Sequence, residues 1–362
     1  MKEIPLLKHY VAAGAEVGEF AGWKSPIFFT KLRDEHMAVR QKAGIFDITH
    51  MTRTKITGPS ATDLLQKTLT CDVATLKKGR MKYGLILNER AGIVDDVTVF
   101  KVEEGSYVMV SNAATREKVL QWMRRSGDSN VLLEDFTEYS AFFAVQGPLS
   151  SKVVSEVLQT DVSALKWFGG VFVRWGGCDV LVTRSGYTGE DGYEIMVPCG
   201  GVELYEKLWD AFVSFGVKPC GLACRDTCRV EAGYLLSGVD FDESKSPVEA
   251  GLMWAVKMEK EGFVGKEALV ELTGRKPDQV AVLLEMAEQG VPRHGYRVHN
   301  QSGEEVGYVT SGVLSPLNNR GLAIAYVETD YAGAGTELFV DIRGTMRRSV
   351  VRAEPLVSVQ KR

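Results

Sequence analysis

Residues 56–77 read ITGPSATDLLQKTLTCDVATLK, and residues 145–166 read VQGPLSSKVVSEVLQTDVSALK. The register between the two stretches is a constant 89 residues. It pairs Gly58 with Gly147, Pro59 with Pro148, Leu69 with Leu158, Asp72 with Asp161, Val73 with Val162, Leu76 with Leu165 and Lys77 with Lys166. Each copy reads as a strand, a Gly-Pro turn, a helix and then further strands. Proline just past a strand suits a helix start, because its φ is preset and its missing N–H would be unpaired there anyway. The chain therefore holds two copies of one α+β unit.

Working outward, the first copy runs on into Arg80–Val102, RMKYGLILNERAGIVDDVTVFKV, a strand, a tight turn and a second strand. Two adjacent carboxylates, Asp95 and Asp96, stand in the second strand. Aspartate is depleted in strands because its side chain competes with the backbone ladder. Successive residues point to opposite faces, so one carboxylate faces inward and needs a donor or a ligand there. The second copy runs on to Ser185–Glu194, SGYTGEDGYE. Acidic residues thus arrive in similar positions in both halves, which predicts a polar pocket between two pseudo-symmetric units.

A chain of 362 residues is too long for one ordinary domain. Apolar and charged fractions of 45% and 25% are those of a globular protein. The net charge of −4, with no basic run and no zinc spacing, argues against a nucleic-acid partner. No apolar stretch reaches membrane-spanning length and the N-terminus has no signal-peptide pattern, so no membrane partner and a cytoplasmic location are expected. None of the six cysteines makes a C-x-x-C pair. Cys220, Cys224 and Cys228 share one helical stripe, read as core packing in preference to a metal site.

Elsewhere, residues 19–26 read as an aromatic, Gly/Pro-punctuated loop. Helices are predicted over 31–42, 202–215 and 223–235, with a strand starting at Ile45 and another at Trp254. His50, alone beside apolar residues, reads as structural before catalytic. After a linker at 274–278, short strands at regular spacing (280–284, 296–299, 305–310, 321–327, 337–341 and 348–351) predict a small antiparallel barrel or jelly roll.

There is no P-loop, dinucleotide fingerprint, G-x-S-x-G or H-E-x-x-H. What remains is carboxylates, tyrosines and arginines. Carboxylates accept from ring N–H groups, aromatic rings stack, and arginines hold anions, so the set suits a flat polar heterocycle with an anionic tail.

The runs FAGWKSP (20–26), EHMAVR (35–40), GIFDITHM (44–51), NERAGIVDD (88–96), SGYTGEDGYE (185–194), GLACRDTCRVEA (221–232) and TSGVLSP (310–316) resemble the T-protein family of the glycine cleavage system, within the tetrahydrofolate-dependent one-carbon enzymes. The resemblance spans nearly the whole chain. It implies an α+β fold of three domains in a cloverleaf around a central folate channel, the third a small β-barrel. The boundaries expected are 1–52 with 142–225, 53–141 with 226–273, and 279–362. It implies transfer of a methylene carbon from the aminomethyl-dihydrolipoyl arm of H-protein to tetrahydrofolate, giving 5,10-methylenetetrahydrofolate and ammonia. It singles out Asp96 as catalytic, and Tyr83, Asp96, Tyr187, Glu194 and Arg225 as folate-binding, with no metal. Asp226 and Arg229 are left as scaffold.

Two departures stand out. Thr49-His50-Met51-Thr52-Arg53 replaces the family's S-H-M-G-E, which would change the charge beside the channel. The tail reads Pro355-Leu356-Val357, with Lys361 and Arg362 at the end, in place of an aromatic and arginines. A folate-dependent demethylase of a free methylated amine or sulfonium is one alternative. A non-enzymatic iron–sulfur assembly factor is another, disfavoured because 186–194 lacks that branch's cysteine.

Overall fold

The computed structural model describes residues 1–358. The chain opens with β1 (Lys2–Glu3), α1 (Leu7–Ala12), β2 (Glu16–Phe20) and β3 (Trp23–Phe28), which form a small sheet in the order β1-β3-β2. The loop expected over 19–26 is thus mostly a hairpin. Its two turn residues, Ala21 and Gly22, both have positive φ (50° and 81°), the twist that two-residue hairpin turns favour. Pro26 is tolerated because β1 pairs only with Trp23 and Lys24, leaving the strand at an edge there. Helix α2 (Leu32–Gln41) falls where predicted, followed by β4 (Gly44–Asp47).

The first repeat forms β5 (Thr52–Thr57), α3 (Ala61–Thr68), β6 (Met81–Leu87), β7 (Ile93–Glu103), β8 (Ser106–Ser111), α4 (Arg116–Ser126) and β9 (Leu132–Asp135). The second forms β10 (Ala141–Gln146), α5 (Ser150–Leu158), β11 (Gly170–Trp175), β12 (Cys178–Thr183), β13 (Gly192–Val197), α6 (Gly201–Ser214) and β14 (Lys218–Pro219). Pro59 and Pro148 lie in the turns ahead of α3 and α5, two residues before each helix begins.

The sheet orders are β6-β7-β8-β5-β9 and β11-β12-β13-β10-β4-β14. The second repeats the first, with β4 inserted. The copies also meet reciprocally. Met81 N donates to Phe168 O (2.8 Å) and Gly170 N to Gly79 O (2.9 Å). Each residue of one bond matches a residue of the other at the repeat spacing, so a pseudo-dyad passes through the bridge between Arg80 and Gly169. Phe46, Met81, Phe100, Phe142, Leu181, Met196, Cys224 and Cys228 fill a core shared by the two sheets.

This topology corrects the expected placing of the carboxylates. Asp96 is on β7, whose counterpart is β12. Glu194 is on β13, the counterpart of β8. Both reach one region, but from non-equivalent strands, because Ser185–Asp191 is an enlarged β12–β13 loop where the first copy has a short turn.

Helix α7 (Leu222–Glu231) ends four residues before the predicted Leu235. Gly233 adopts φ +70°, Gly233 N donates to Val230 O, and Tyr234 N donates to Arg229 O (2.8 Å). That is a Schellman cap, and it turns the chain sharply away. The strand expected at Trp254 is a single 3-10 turn, Met253–Ala255. After α8 (Lys266–Thr273), strands β15 (Gln279–Met286), β16 (Arg297–His299), β17 (Glu305–Leu314), β18 (Gly321–Glu328), β19 (Glu337–Ile342) and β20 (Thr345–Val351) close a barrel in the order β15-β18-β17-β16-β19-β20. All six were predicted within a few residues. No helix among the described residues is long and apolar enough to cross a membrane.

Candidate active site

Asp95 and Asp96 sit where β7 bulges against β6: Leu87 pairs with Ile93 and Ile86 with Asp95, which leaves Val94 extra. Beyond the bulge strand parity holds. Asp96 shares a face with Leu85 and Asp95 with Ile86.

Asp95 is fully buried. It accepts from Asn112 N (3.1 Å), Asn112 Nδ2 (2.8 Å), Thr115 Oγ1 (2.7 Å) and Ser237 Oγ (2.7 Å). Thr115 is the N-cap position of α4, so this carboxylate also sits at a positive helix end. None of these donors belongs to the β6–β7 turn. Asp96 receives Asn112 Nδ2 at 2.7 Å and keeps part of its surface open. Burial, and then the charge of Asp95, push its carboxyl up to about 7, against the Asn112 hydrogen bond. Asp95 is also raised by burial, but its hydroxyl and amide donors oppose the shift. The Asp95 carboxylate accepts four hydrogen bonds and that of Asp96 one, which favours a proton held by the pair on Asp96.

Tyr83 lies beside Asp96, and its phenol is raised well above 10 by burial and by that neighbouring carboxylate. Its ring stacks on Trp254 (centroids 5.0 Å apart), an indole 69% exposed. Tyr187 comes from the β12–β13 loop. The Arg225 guanidinium carbon lies 4.9 Å from its ring centroid, Tyr234 stacks on it at 5.7 Å, and its hydroxyl donates to Leu235 O at 2.5 Å. Burial raises the Tyr187 phenol and the Asp96 charge adds to this, while Arg229 and Arg225 oppose it.

Glu194 accepts from Ser185 Oγ at 2.5 Å. Burial raises its carboxyl, opposed by that bond and by Arg225. Arg225 is lowered by burial, opposed by Glu194 and then Tyr187. Its Nη1 is buried without a hydrogen-bond partner among the described residues. All five predicted residues thus come together and interact electrically. Each keeps some open surface.

Asn112 and Trp254 were not predicted. Asn112, which bridges both aspartates, stands after a strand and before a helix start. That position marks a turn, and only the fold turns it toward Asp96. Trp254 was misread as a strand residue.

His50 is buried, with Phe20 edge-on at 5.2 Å, and burial together with Arg225 and Arg53 lowers it to about 3. The imidazole is therefore neutral at pH 7, and its buried Nδ1 has no hydrogen-bond partner among the described residues. Arg53 does not border the site as expected. It is fully buried and donates to Thr49 O (2.9 Å), Met51 O (2.5 Å) and Thr137 O (2.6 Å). The main-chain carbonyls take up its donors.

The Cys220–Cys224–Cys228 stripe packs in the shared core. Glu35 and His36 lie beside it, but Glu35 accepts from the Phe29, Thr30 and Gly221 amides. His36 meets Thr227 Oγ1 at 2.8 Å and Glu231 at 2.9 Å. The Glu35 carboxylate and His36 Nδ1 are thus engaged with protein groups. At the tail, Leu356 N and Val357 N donate to Glu231 O. Lys361 and Arg362 lie outside the described residues.

The family model of the GCVT N-terminal domain matches residues 6–260, and that of the glycine cleavage T-protein C-terminal barrel domain matches 279–357. The chain belongs to the glycine cleavage T-protein family. Its relatives in that family include the aminomethyltransferase of Geobacillus thermodenitrificans, 40% identical over 98% of both chains. The aminomethyltransferase of Streptomyces coelicolor is 42% identical over 97% of this chain and 96% of its own. The crystal structure of glycine cleavage system aminomethyltransferase T from Bartonella henselae superposes with a TM-score of 0.93 at 32% identity, covering 100% of this chain and 99% of that one. The chain is thus an enzyme, a transferase of the T-protein family, and neither the demethylase nor the assembly-factor reading is favoured.

Proposed function

We propose that this chain is the aminomethyltransferase of a glycine cleavage system, with tetrahydrofolate as co-substrate and a lipoylated H-protein as the carrier of the aminomethyl group. The observation that carries the folate reading is the convergence of Asp96, Tyr83, Tyr187, Glu194 and Arg225 from two sheets and α7 onto one internal face. There a buried guanidinium nitrogen has no partner. Such a donor, beside two carboxylates and two aromatic rings, fits a flat heterocycle with N–H donors and polar acceptors.

Tetrahydrofolate, when bound, would supply the nitrogens that take up the methylene carbon. Asp96 would accept a hydrogen bond from one of those nitrogens, fix its orientation and hold the proton released there. Asn112 keeps the carboxylate turned, and burial together with the charge of Asp95 keeps its pKa high enough for proton exchange near neutrality. Tyr83, Tyr187, Glu194 and Arg225 would position the ring system. Their burial restricts water, which would otherwise hydrolyse an aminomethyl thioether. The limits of the two sheets and the barrel support a division into three domains, but the expected boundary at 225/226 falls inside α7 (Leu222–Glu231), a continuous helix that belongs to one domain. A cytoplasmic location remains the reading we adopt.

Asp96→Asn tests the assignment. Folate affinity should stay within a few-fold while turnover falls roughly a hundredfold or more. Wild-type turnover in this variant would overturn it. Running the assay with and without aminomethyl-loaded H-protein separates this activity from demethylation of a free amine, which needs no carrier.

A further inference from the structure

The loop that carries Tyr187 is wrapped around two fixed side chains. The first is Gln146, fully buried at the end of β10, at the repeat position where the first copy has Thr57. Its Nε2 donates to Ser185 O at 3.0 Å and its Oε1 accepts from Thr188 Oγ1 at 2.9 Å, so its amide is bonded on both sides of Tyr187. The backbone closes onto it so tightly that a Cβ on Gly186 would stand 1.9 Å from Oε1, and one on Gly192 would stand 2.3 Å from Nε2. Two glycines of the SGYTGEDGYE run are thereby accounted for.

The second is Arg40 of α2, whose side chain is only 4% exposed. Nη1 donates to Thr188 O (2.7 Å) and Glu190 Oε1 (3.0 Å). Nη2 donates to Glu231 Oε2 (2.7 Å) and Cys228 O (3.2 Å), and Nε to Glu231 Oε2 (3.1 Å). One guanidinium therefore holds both the Tyr187 loop and the end of α7, the helix that carries Arg225. Glu231 in turn accepts from Ser315 Oγ of the barrel (2.5 Å), and His36 Nε2 lies 2.9 Å from its other oxygen.

We infer that Gln146 and Arg40 are positioning residues that set the Tyr187 ring against Arg225, and so determine folate affinity without touching folate. The inference rests on the reading of Tyr187 and Arg225 as folate-holding. Arg40→Lys keeps the charge but loses the fork that spans loop and helix. Gln146→Asn keeps the amide but retracts it by one methylene.

The test measures steady-state constants for folate and for aminomethyl-loaded H-protein in these variants, in Tyr187→Ala, and in each combined with Tyr187→Ala, with thermal unfolding followed in parallel. Each single variant should raise the folate KM roughly tenfold, with kcat and the H-protein KM within about twofold, and the effect should vanish in the Tyr187→Ala background. A variant that unfolds more easily but keeps the wild-type folate KM would show a structural role only and overturn the inference. So would an effect of equal size with and without Tyr187. If Tyr187→Ala itself leaves folate binding unchanged, the site assignment falls, and with it the inference.

Discussion

Asp96 makes opposite demands on activity and stability. In the role proposed for it, accepting a hydrogen bond from a folate nitrogen, it must be ionised, yet the fold holds its pKa near 7. kcat/KM should therefore fall as pH drops through about 7, and this acid limb should be absent from the residual activity of Asp96→Asn. The stability sign is the reverse. A carboxyl whose folded pKa lies above the unfolded value, near 3.9, is favoured by the fold only when protonated. Its contribution is intact below about pH 4 and is lost as pH rises towards 7. Denaturant unfolding from pH 4 to 8 should show Asp96→Asn gaining on the wild type up to about pH 7 and then holding a constant lead. A constant gap across the whole range would refute the raised pKa. The sequence marked this residue in two ways. An aspartate pair in a strand was odd on its own, and the motif resemblance chose Asp96 over Asp95. The part played by Asn112 was invisible, because its contact with both carboxylates arises only when the end of β8 folds beside β7.

At the scale of elements, the covalent link between Cys178 at the start of β12 and Cys199 ahead of α6 was not read from the sequence. The two cysteines are 21 residues apart, and nothing in that spacing distinguishes them from the other four. The fold brings them together because β12 and β13 are antiparallel neighbours, so the start of one lies beside the end of the other. Closing a loop of that length restrains the unfolded chain by roughly 3 kcal/mol in the entropic account. Denaturant unfolding with and without a reducing agent should differ by about that amount, and Cys199→Ser should abolish the difference. Insensitivity to reductant would mean the pair stays as thiols, as a cytoplasmic location favours. The repeat, the helices and the barrel strands were legible because their periodicity is undisturbed. The β2–β3 hairpin was hidden because Gly22 and Pro26 interrupt the alternation that signals strands. The end of α7 was overrun because apolar residues continue past Gly233, and only the positive φ of that glycine stops the helix.

For the molecule as a whole, the barrel is fastened to the rest through charges that also shape the site. Asp240, fully buried, accepts from Arg229 Nη1 (2.5 Å), from Leu236 N (2.8 Å) and from Thr310 Oγ1 of β17 (2.6 Å). Arg229 reaches Ser311 of the same strand at 2.7 Å. The Leu236 amide fixes the turn whose preceding carbonyl, Leu235 O, holds the Tyr187 hydroxyl. Asp226 and Arg229, left as scaffold in the sequence reading, therefore differ. Asp226 is half exposed, whereas Arg229 is buried at this joint. Asp240→Asn would leave the buried Arg229 charge with only the solvent-facing Asp226 as its anion, at a cost of roughly 3–5 kcal/mol. Because the loss falls on the joint and not within either core, calorimetry should show the barrel transition separating from that of the two repeated units. The folate KM should rise with it, since Tyr187 loses the fixed carbonyl on which its hydroxyl rests. A single unshifted transition with an unchanged KM would show that the barrel is held by its apolar contacts with α7 (Val230 against Val313 and Leu322) and that the charged joint is dispensable.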